Sequence, residues 1–534
     1  MATVAEVIAR TLVEAGIDTV FGLPGGENAE VLDALRREGL AFVLVRNESS
    51  ALFMADATAR LTGKPGVALV TLGPGAANAT SGLANAYLDR APVLLLTAQS
   101  DQRLAGKHTH QVLDLHACFR PISKLTREIT PMNARQIVAE ALRLTMAGRP
   151  GPVHLAVSSF VAAQPVRDGD GEPIVSKVVR STKAPDLAAA GEMLARAKRP
   201  VMVVGLGLEP QRPYAALLRL AEAGQIPVIL TPKAKGALAA DHPLYAGVIG
   251  LTLKDHAYKI LDEADCVVAV GFDVVELVRV WTYEQPLIWI APWENSDPHL
   301  GSAVFEFVGE MEPVLEHLAD LNYRQLSEWE YFRIATYNAA VTDELAPVRE
   351  KGRLLPQTLL KVLRDYLPIG TVVTTDVGAH KIYFALEWPA YVPNRYLVAN
   401  GLSSMGFGLP AAIAAARVTG ETTLCIVGDG GMGMVMGELG LLREMELPVI
   451  VVVMNDHALD LIRSAQIKRG KAVFGTEFVN PDFRHIAQGF DIEYFRVANR
   501  VECAKAVRTA VALERPAMIE ALIDPAGYPT TPAF

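Results

Sequence analysis

Two stretches decide how this chain is read. They are Leu424-Cys425-Ile426-Val427-Gly428-Asp429-Gly430-Gly431 and the next apolar run, Val449-Ile450-Val451-Val452-Val453-Met454, which ends in Asn455-Asp456. Each run has the length and β-branched content of a buried strand, and a helix is expected over 434–445 after the glycines. A glycine turn lets backbone come close to a ligand, and the free N–H groups of a helix start favour an anion such as a diphosphate. Asp429 adds a hard oxygen ligand able to hold Mg²⁺ against it. Asp456 puts a second oxygen donor at the carboxyl end of the neighbouring strand. Both donors therefore reach the edge of the sheet at which ligands bind in open α/β folds.

Working outward, similar short runs recur at 42–45, 67–71, 93–97, 201–204, 228–230, 267–270 and 372–375, with helix-length stretches between them. That alternation predicts parallel sheets covered on both faces. Polar stretches at 164–186 and 349–355 read as linkers. The expected architecture is α/β, with three doubly wound domains over 1–165, 186–345 and 356–534. The first and third pieces share one logic of strand, glycine turn and helix.

Of 534 residues, 50 are basic and 59 acidic, so no basic footprint for nucleic acid is present. No apolar run approaches the ~20 residues of a membrane helix. The opening stretch has the spacing of an amphipathic helix rather than of a signal peptide, and a cytoplasmic protein is expected. Cys118, Cys266, Cys425 and Cys503 are scattered, so neither disulfides nor zinc are expected.

The GDG turn followed by Asn455-Asp456 resembles the metal and diphosphate motif of the thiamine-diphosphate family that includes acetolactate synthase, pyruvate decarboxylase, benzoylformate decarboxylase and benzaldehyde lyase. The resemblance implies Asp429, Asp456 and the carbonyl of Ala458 as metal ligands. It implies Gly430, Gly431 and Leu459, together with Val377, Gly378, Ala379 and His380 of Thr375-Asp376-Val377-Gly378-Ala379-His380, around the diphosphate. Asn400-Gly401-Leu402-Ser403-Ser404-Met405-Gly406 is similar to the family stretch that supports the cofactor rings, with Ser403 beside them and Met405 wedged between them.

Three further segments resemble the family's first domain. Arg46-Asn47-Glu48-Ser49-Ser50-Ala51 resembles the segment whose glutamate activates the aminopyrimidine at N1′, with a helix expected over 49–61. Phe21-Gly22-Leu23-Pro24-Gly25-Gly26 and Thr71-Leu72-Gly73-Pro74-Gly75-Ala76-Ala77-Asn78 resemble loops that close over the reactive carbon, which places Gly25, Gly26, Gly73 and Asn78 at the cofactor. Gln111 is retained in a loop where His110 replaces the phenylalanine of acetolactate synthases, and a histidine there can act as acid or base. His108 lies in the same loop. Glu27 stands open between a solvated carboxylate and a substrate contact.

The pattern is closest to acetolactate synthase-like proteins, and it implies decarboxylation and carboligation of a small 2-oxo acid through a C2 carbanion and an enamine. The alternative is cleavage of an acyloin or diketone; intact Glu48, Asp429 and Met405 speak against a non-catalytic paralogue. Asn47 replaces a histidine, Asp456 an asparagine and Ala465 a tryptophan of the family pattern. The central piece carries Gly271-Phe272-Asp273-Val274-Val275-Glu276 where FAD-binding relatives have an Arg-Phe-Asp-Asp-Arg string, so no FAD is expected. The family pairs pyrimidine-binding and diphosphate-binding faces from two subunits, which implies a homodimer or homotetramer.

Overall fold

The computed structural model describes residues 1–101, 103, 107, 110–166, 184–253, 255–295, 300, 304–321, 327–330, 334–335 and 352–528. His108 lies outside them. The strands form three six-stranded sheets in which every registered pair is parallel. The first sheet holds β1 (Thr19–Leu23), β2 (Ala41–Leu44), β3 (Gly66–Val70), β4 (Val93–Ala98), β5 (Thr126–Glu128) and β6 (Val153–Val157) in the order β2-β1-β3-β4-β6-β5. The second holds β7 (Pro200–Val204), β8 (Val228–Leu230), β9 (Tyr245–Val248), β10 (Cys266–Val270), β11 (Leu287–Ala291) and β12 (Phe305–Val308) in the order β12-β11-β10-β7-β8-β9, the Rossmann arrangement. The third holds β13 (Val372–Thr375), β14 (Tyr396–Val398), β15 (Thr423–Gly428), β16 (Val449–Asn455), β17 (Glu493–Val497) and β18 (Ala517–Leu522) in the order β14-β13-β15-β16-β18-β17. Counted within each sheet, the first and third share one order.

All the runs expected as strands are strands. β3, β4, β7, β10 and β16 are buried at every residue, as parallel strands with helices on both faces must be. Contacts group the chain into two units. One is Met1–Val178 with Gly401–Val418; the other is Val179–Asn400 with Thr419–Phe534 and contains the second and third sheets. Segment 401–418, expected within the third piece, thus packs into the first unit. There the Phe407 ring stands edge-on to Phe53 at 5.7 Å, Arg417 donates to Thr19 Oγ1 at 2.8 Å, and the Gly401 N–H donates to Asp89 Oδ1 at 2.6 Å.

Two local boundaries differ from expectation. The helix after the GDG turn starts at Asp429, runs to Val435, passes through a 3₁₀ turn at Met436–Glu438 and resumes over Leu439–Glu444. An acidic residue is favourable in a first helical turn, and Gly428, with φ −72° and ψ 156°, ends the strand just before it. Leu354, at the end of an expected linker, bridges to Ile523 and is fully buried. The helix expected over 49–61 is Glu48–Thr62. Among the described residues no helix is long and apolar enough to cross a membrane.

Candidate active site

In the third sheet the strand order reverses between β13 and β15, the point at which an open α/β sheet leaves a crevice at its carboxyl edge. Asp376 follows β13, Asp429 follows β15 and Asp456 follows β16, and all three are buried. Asp429 Oδ1 accepts the Gly430 N–H at 2.9 Å; its Oδ2 accepts the His457 N–H at 2.8 Å and the Asn480 amide at 2.7 Å. Asp456 accepts the Ala458 N–H at 3.0 Å and is hydrogen-bonded to Tyr528. Burial and then the charge of Asp429 push the Asp456 carboxyl up to about 7, and burial raises Asp429 too. Two carboxylates that resist ionising beside each other make an oxygen donor set that a divalent cation would satisfy.

Glycine is required around them by close approach. A Cβ on Gly431 would stand 2.1 Å from Asp376 Oδ2, and one on Gly378 would stand 2.7 Å from the His380 ring. His380 begins the helix Ala379–Glu387 with its Nε2 buried and without a hydrogen-bond partner among the described residues. Burial lowers its pKa to about 4, so the ring is neutral near pH 7. A buried nitrogen without a partner is costly, which fits a site completed by a polar ligand such as a phosphate oxygen. Val377, Ala379, Gly430, Ala458 and Leu459 belong to the same loops; Leu459 donates its N–H to Thr476 at 2.8 Å.

The first sheet repeats the reversal between β1 and β3. Glu48, the first residue of its helix, is 5% exposed and its Oε2 accepts the Asn78 amide at 3.1 Å. Glu27 accepts the Thr71 hydroxyl at 3.0 Å, so it is tied to the loop after β3. A Cβ on Gly25 would meet both that hydroxyl, at 2.3 Å, and Glu27, at 2.7 Å. Gly26 is exposed beside it. Gly73, at φ +57°, lies so close to Gln111 that a Cβ would be 2.8 Å from that residue's Cβ. The structure thus gathers Gly25, Glu48, Gly73, Asn78 and Gln111 at one edge of the first unit, with His110 exposed next to Gln111. Ser403 and a half-buried Met405 belong to this unit and not to that of Asp429. Gln111, Ser403 and His457 hold left-handed φ values of 59°, 58° and 62°, a strain that collects at functional sites.

The central crevice differs. Its glycine turn, Gly205-Leu206-Gly207, is met by the protein itself: Glu276 Oε2 accepts the Leu206 N–H at 2.8 Å, and a Cβ on Gly207 would stand 2.2 Å from Trp293. Glu276 is 1% exposed, and burial raises its carboxyl to about 7.

Sequence reasoning missed Asn480 and Tyr528, which touch Asp429 and Asp456. Asn480 precedes Pro481 and reads as a turn residue, and Tyr528 follows Pro525 near the end of the described chain. Nothing local marks either as belonging to this edge. Among the described residues no group of three or more His, Cys, Asp or Glu side chains is placed to hold a metal ion, so a cation here would draw on two carboxylates and backbone.

Comparison with known proteins agrees with this geometry. The family model described as "Thiamine pyrophosphate enzyme, N-terminal TPP binding domain" matches residues 2–118, the central-domain model matches 187–318, and the C-terminal TPP binding domain model matches 376–521. Acetolactate synthase of Bacillus subtilis (strain 168) is 30% identical, across 97% of this chain and 93% of that protein. Acetolactate synthase isozyme 2 large subunit of Escherichia coli (strain K12) is 31% identical across 97% and 95%, and a probable acetolactate synthase large subunit of Methanocaldococcus jannaschii is 30% identical across 98% and 92%. Matches that run through all three sheets and nearly the whole length of these relatives lead to one assignment: this chain belongs to the thiamine-diphosphate-dependent enzymes, and within them it is acetolactate synthase-like.

Proposed function

We propose that the chain is a thiamine-diphosphate- and Mg²⁺-dependent decarboxylase and carboligase acting on a small 2-oxo acid, with pyruvate the first to test because the relatives are acetolactate synthases. The observation that carries it is the pair of buried carboxylates, Asp429 and Asp456, on the sheet edge that also holds the partnerless nitrogen of His380.

In this reading Asp429, Asp456 and the Ala458 carbonyl hold Mg²⁺. Val377, Gly378, Ala379, His380, Gly430, Gly431 and Leu459 hold the diphosphate, while Ser403 and Met405 support the rings. Thiamine diphosphate, when bound, supplies a nucleophilic carbon that adds to a ketone carbonyl and takes up the electron pair left by departing CO₂. Glu48 holds and returns a proton at N1′ of the pyrimidine, and Asn78, donating to Oε2, keeps the carboxylate turned for that exchange. Gly25, Gly26 and Gly73 keep side chains away from the substrate, and Gln111 and His110 address the substrate itself. The filled central crevice supports the further reading that no flavin is needed. We also propose self-association as a homodimer or homotetramer, read from sedimentation.

The test is the purified protein with thiamine diphosphate, Mg²⁺ and a panel of 2-oxo acids beginning with pyruvate, followed by an acyloin. The readouts are CO₂ and carbonyl products. Release of CO₂ with formation of an acyloin-type product is expected. Cleavage of the acyloin with no CO₂ from any 2-oxo acid would replace this reading with a lyase, and no turnover of either class would end both.

A further inference from the structure

Asn480 lies in the loop between helix Asp460–Lys468 and helix Phe483–Gly489, outside every strand end that forms the crevice. Its Nδ2 nevertheless donates to Asp429 Oδ2 at 2.7 Å and to Asn455 Oδ1 at 3.0 Å, and it lies 3.4 Å from His457 Nδ1. Neighbouring groups settle which way the amide faces. A carboxylate only accepts, so Asp429 requires the nitrogen side of Asn480. Asn455 in turn gives its own Nδ2 to Glu520 Oε1 at 2.7 Å, which leaves its Oδ1 as the acceptor facing Asn480. Glu520 is buried and takes the Tyr494 hydroxyl on its other oxygen. An unbroken run of donors and acceptors therefore links Tyr494, Glu520, Asn455 and Asn480 to Asp429.

The lone pairs of Asp429 can now be counted. Oδ2 accepts from His457 N–H and from Asn480, which uses both of its lone pairs; Oδ1 accepts only from Gly430 N–H. We propose that Asn480 is a positioning residue for the cation site: by holding Oδ2 of Asp429 against Asn455 at the end of β16, it fixes the carboxylate's rotation and leaves Oδ1 as the oxygen with a lone pair for the metal. Neighbours that hydrogen-bond a metal-ligating carboxylate orient it, and losing one typically weakens metal affinity 10–100-fold. The proposal rests on the cofactor reading above and adds to it a residue from a loop whose sequence signals only a turn.

The experiment titrates Mg²⁺ by calorimetry into protein saturated with thiamine diphosphate, with the melting temperature of the cofactor-free protein measured alongside. Asn480→Ala is expected to raise the apparent Mg²⁺ dissociation constant about 10–100-fold, with turnover recovering at high Mg²⁺. Asn480→Asp, which keeps the shape but sets a carboxylate against Asp429, is expected to weaken Mg²⁺ further than Ala at pH 7. Asn480→Ser, which retains one donor, is expected to fall between wild type and Ala; it carries the test if the Ala protein does not fold. A merely structural role would lower the melting temperature and leave the Mg²⁺ midpoint unmoved. A wild-type midpoint in the Ala variant, or in the Ser variant if Ala fails to fold, overturns the proposal. If wild-type protein itself takes up no Mg²⁺ with thiamine diphosphate, the cofactor reading has failed instead.

Discussion

At the carboxyl edge of the first sheet one buried carboxylate, Glu48, meets one amide, Asn78; at the same edge of the third, Asp429, Asp456 and Asp460 press their charges on one another. Strand order is common to both edges, so it accounts for the crevice and not for the chemistry. The residues placed one or two positions beyond each strand make the difference. A carboxylate standing alone beside an amide is suited to moving a proton, whereas crowded carboxylates are suited to a cation. The central sheet adds a third outcome, because its glycine turn is capped by Glu276 of its own chain.

The largest effect that would test this division comes from the crowded edge. Asp429→Ala is expected to abolish measurable turnover and to weaken thiamine diphosphate binding in the presence of Mg²⁺ by more than ~100-fold in calorimetry. Retention of wild-type cofactor affinity would remove the third edge from cofactor binding altogether. Glu48→Gln should behave differently, with cofactor bound within about tenfold of wild type and turnover reduced on the order of 10²–10⁴-fold. If it loses the cofactor as completely as Asp429→Ala, the proposed split between proton transfer and cation binding collapses.

The smallest effect belongs to the central crevice and is one of stability. Burial raises Glu276 from 4.5 to about 7, so below pH 4.5 its protonated form contributes fully to folding. As pH rises toward about 7 the unfolded chain ionises first and that contribution is lost. Glu276→Gln carries no such charge. Its melting temperature relative to wild type should therefore climb between pH 5 and pH 8, by an amount equivalent to roughly 1–3 kcal/mol. A difference independent of pH would show that the carboxyl ionises in the folded protein as readily as in water.

The strands most legible in the sequence are those with covered faces, such as β3, β7 and β16, because burial on both sides demands unbroken apolar, β-branched runs. Edge strands escaped the same reading. β5 is Thr126-Arg127-Glu128, and β17 begins at Glu493 with a central Arg496; with one neighbour apiece, neither needs that pattern. Within the site, Asp429, Asp456 and Glu48 were legible because each stands where a strand or helix terminus gives a carboxylate local meaning. Asn480, Tyr528 and Glu276 take their meaning from partners far along the chain: Asn480 lies 51 positions from Asp429, a separation that no local pattern reports.

Segment 401–418 bears on how such a chain can be recombined. Its neighbours on either side, Asn400 and Thr419, belong to the second unit, while helix Gly408–Thr419 buries Ala411, Ala412, Ile413, Ala414, Ala415 and Ala416 within the first. The last third is therefore not a transplantable cassette. A chimaera joined at 356 would bring a foreign helix into the first unit's interior, where a mismatch of even one methylene is felt. Crossovers between relatives should succeed more often when 401–418 travels with the amino-terminal parent, even though that requires three junctions where one would otherwise serve.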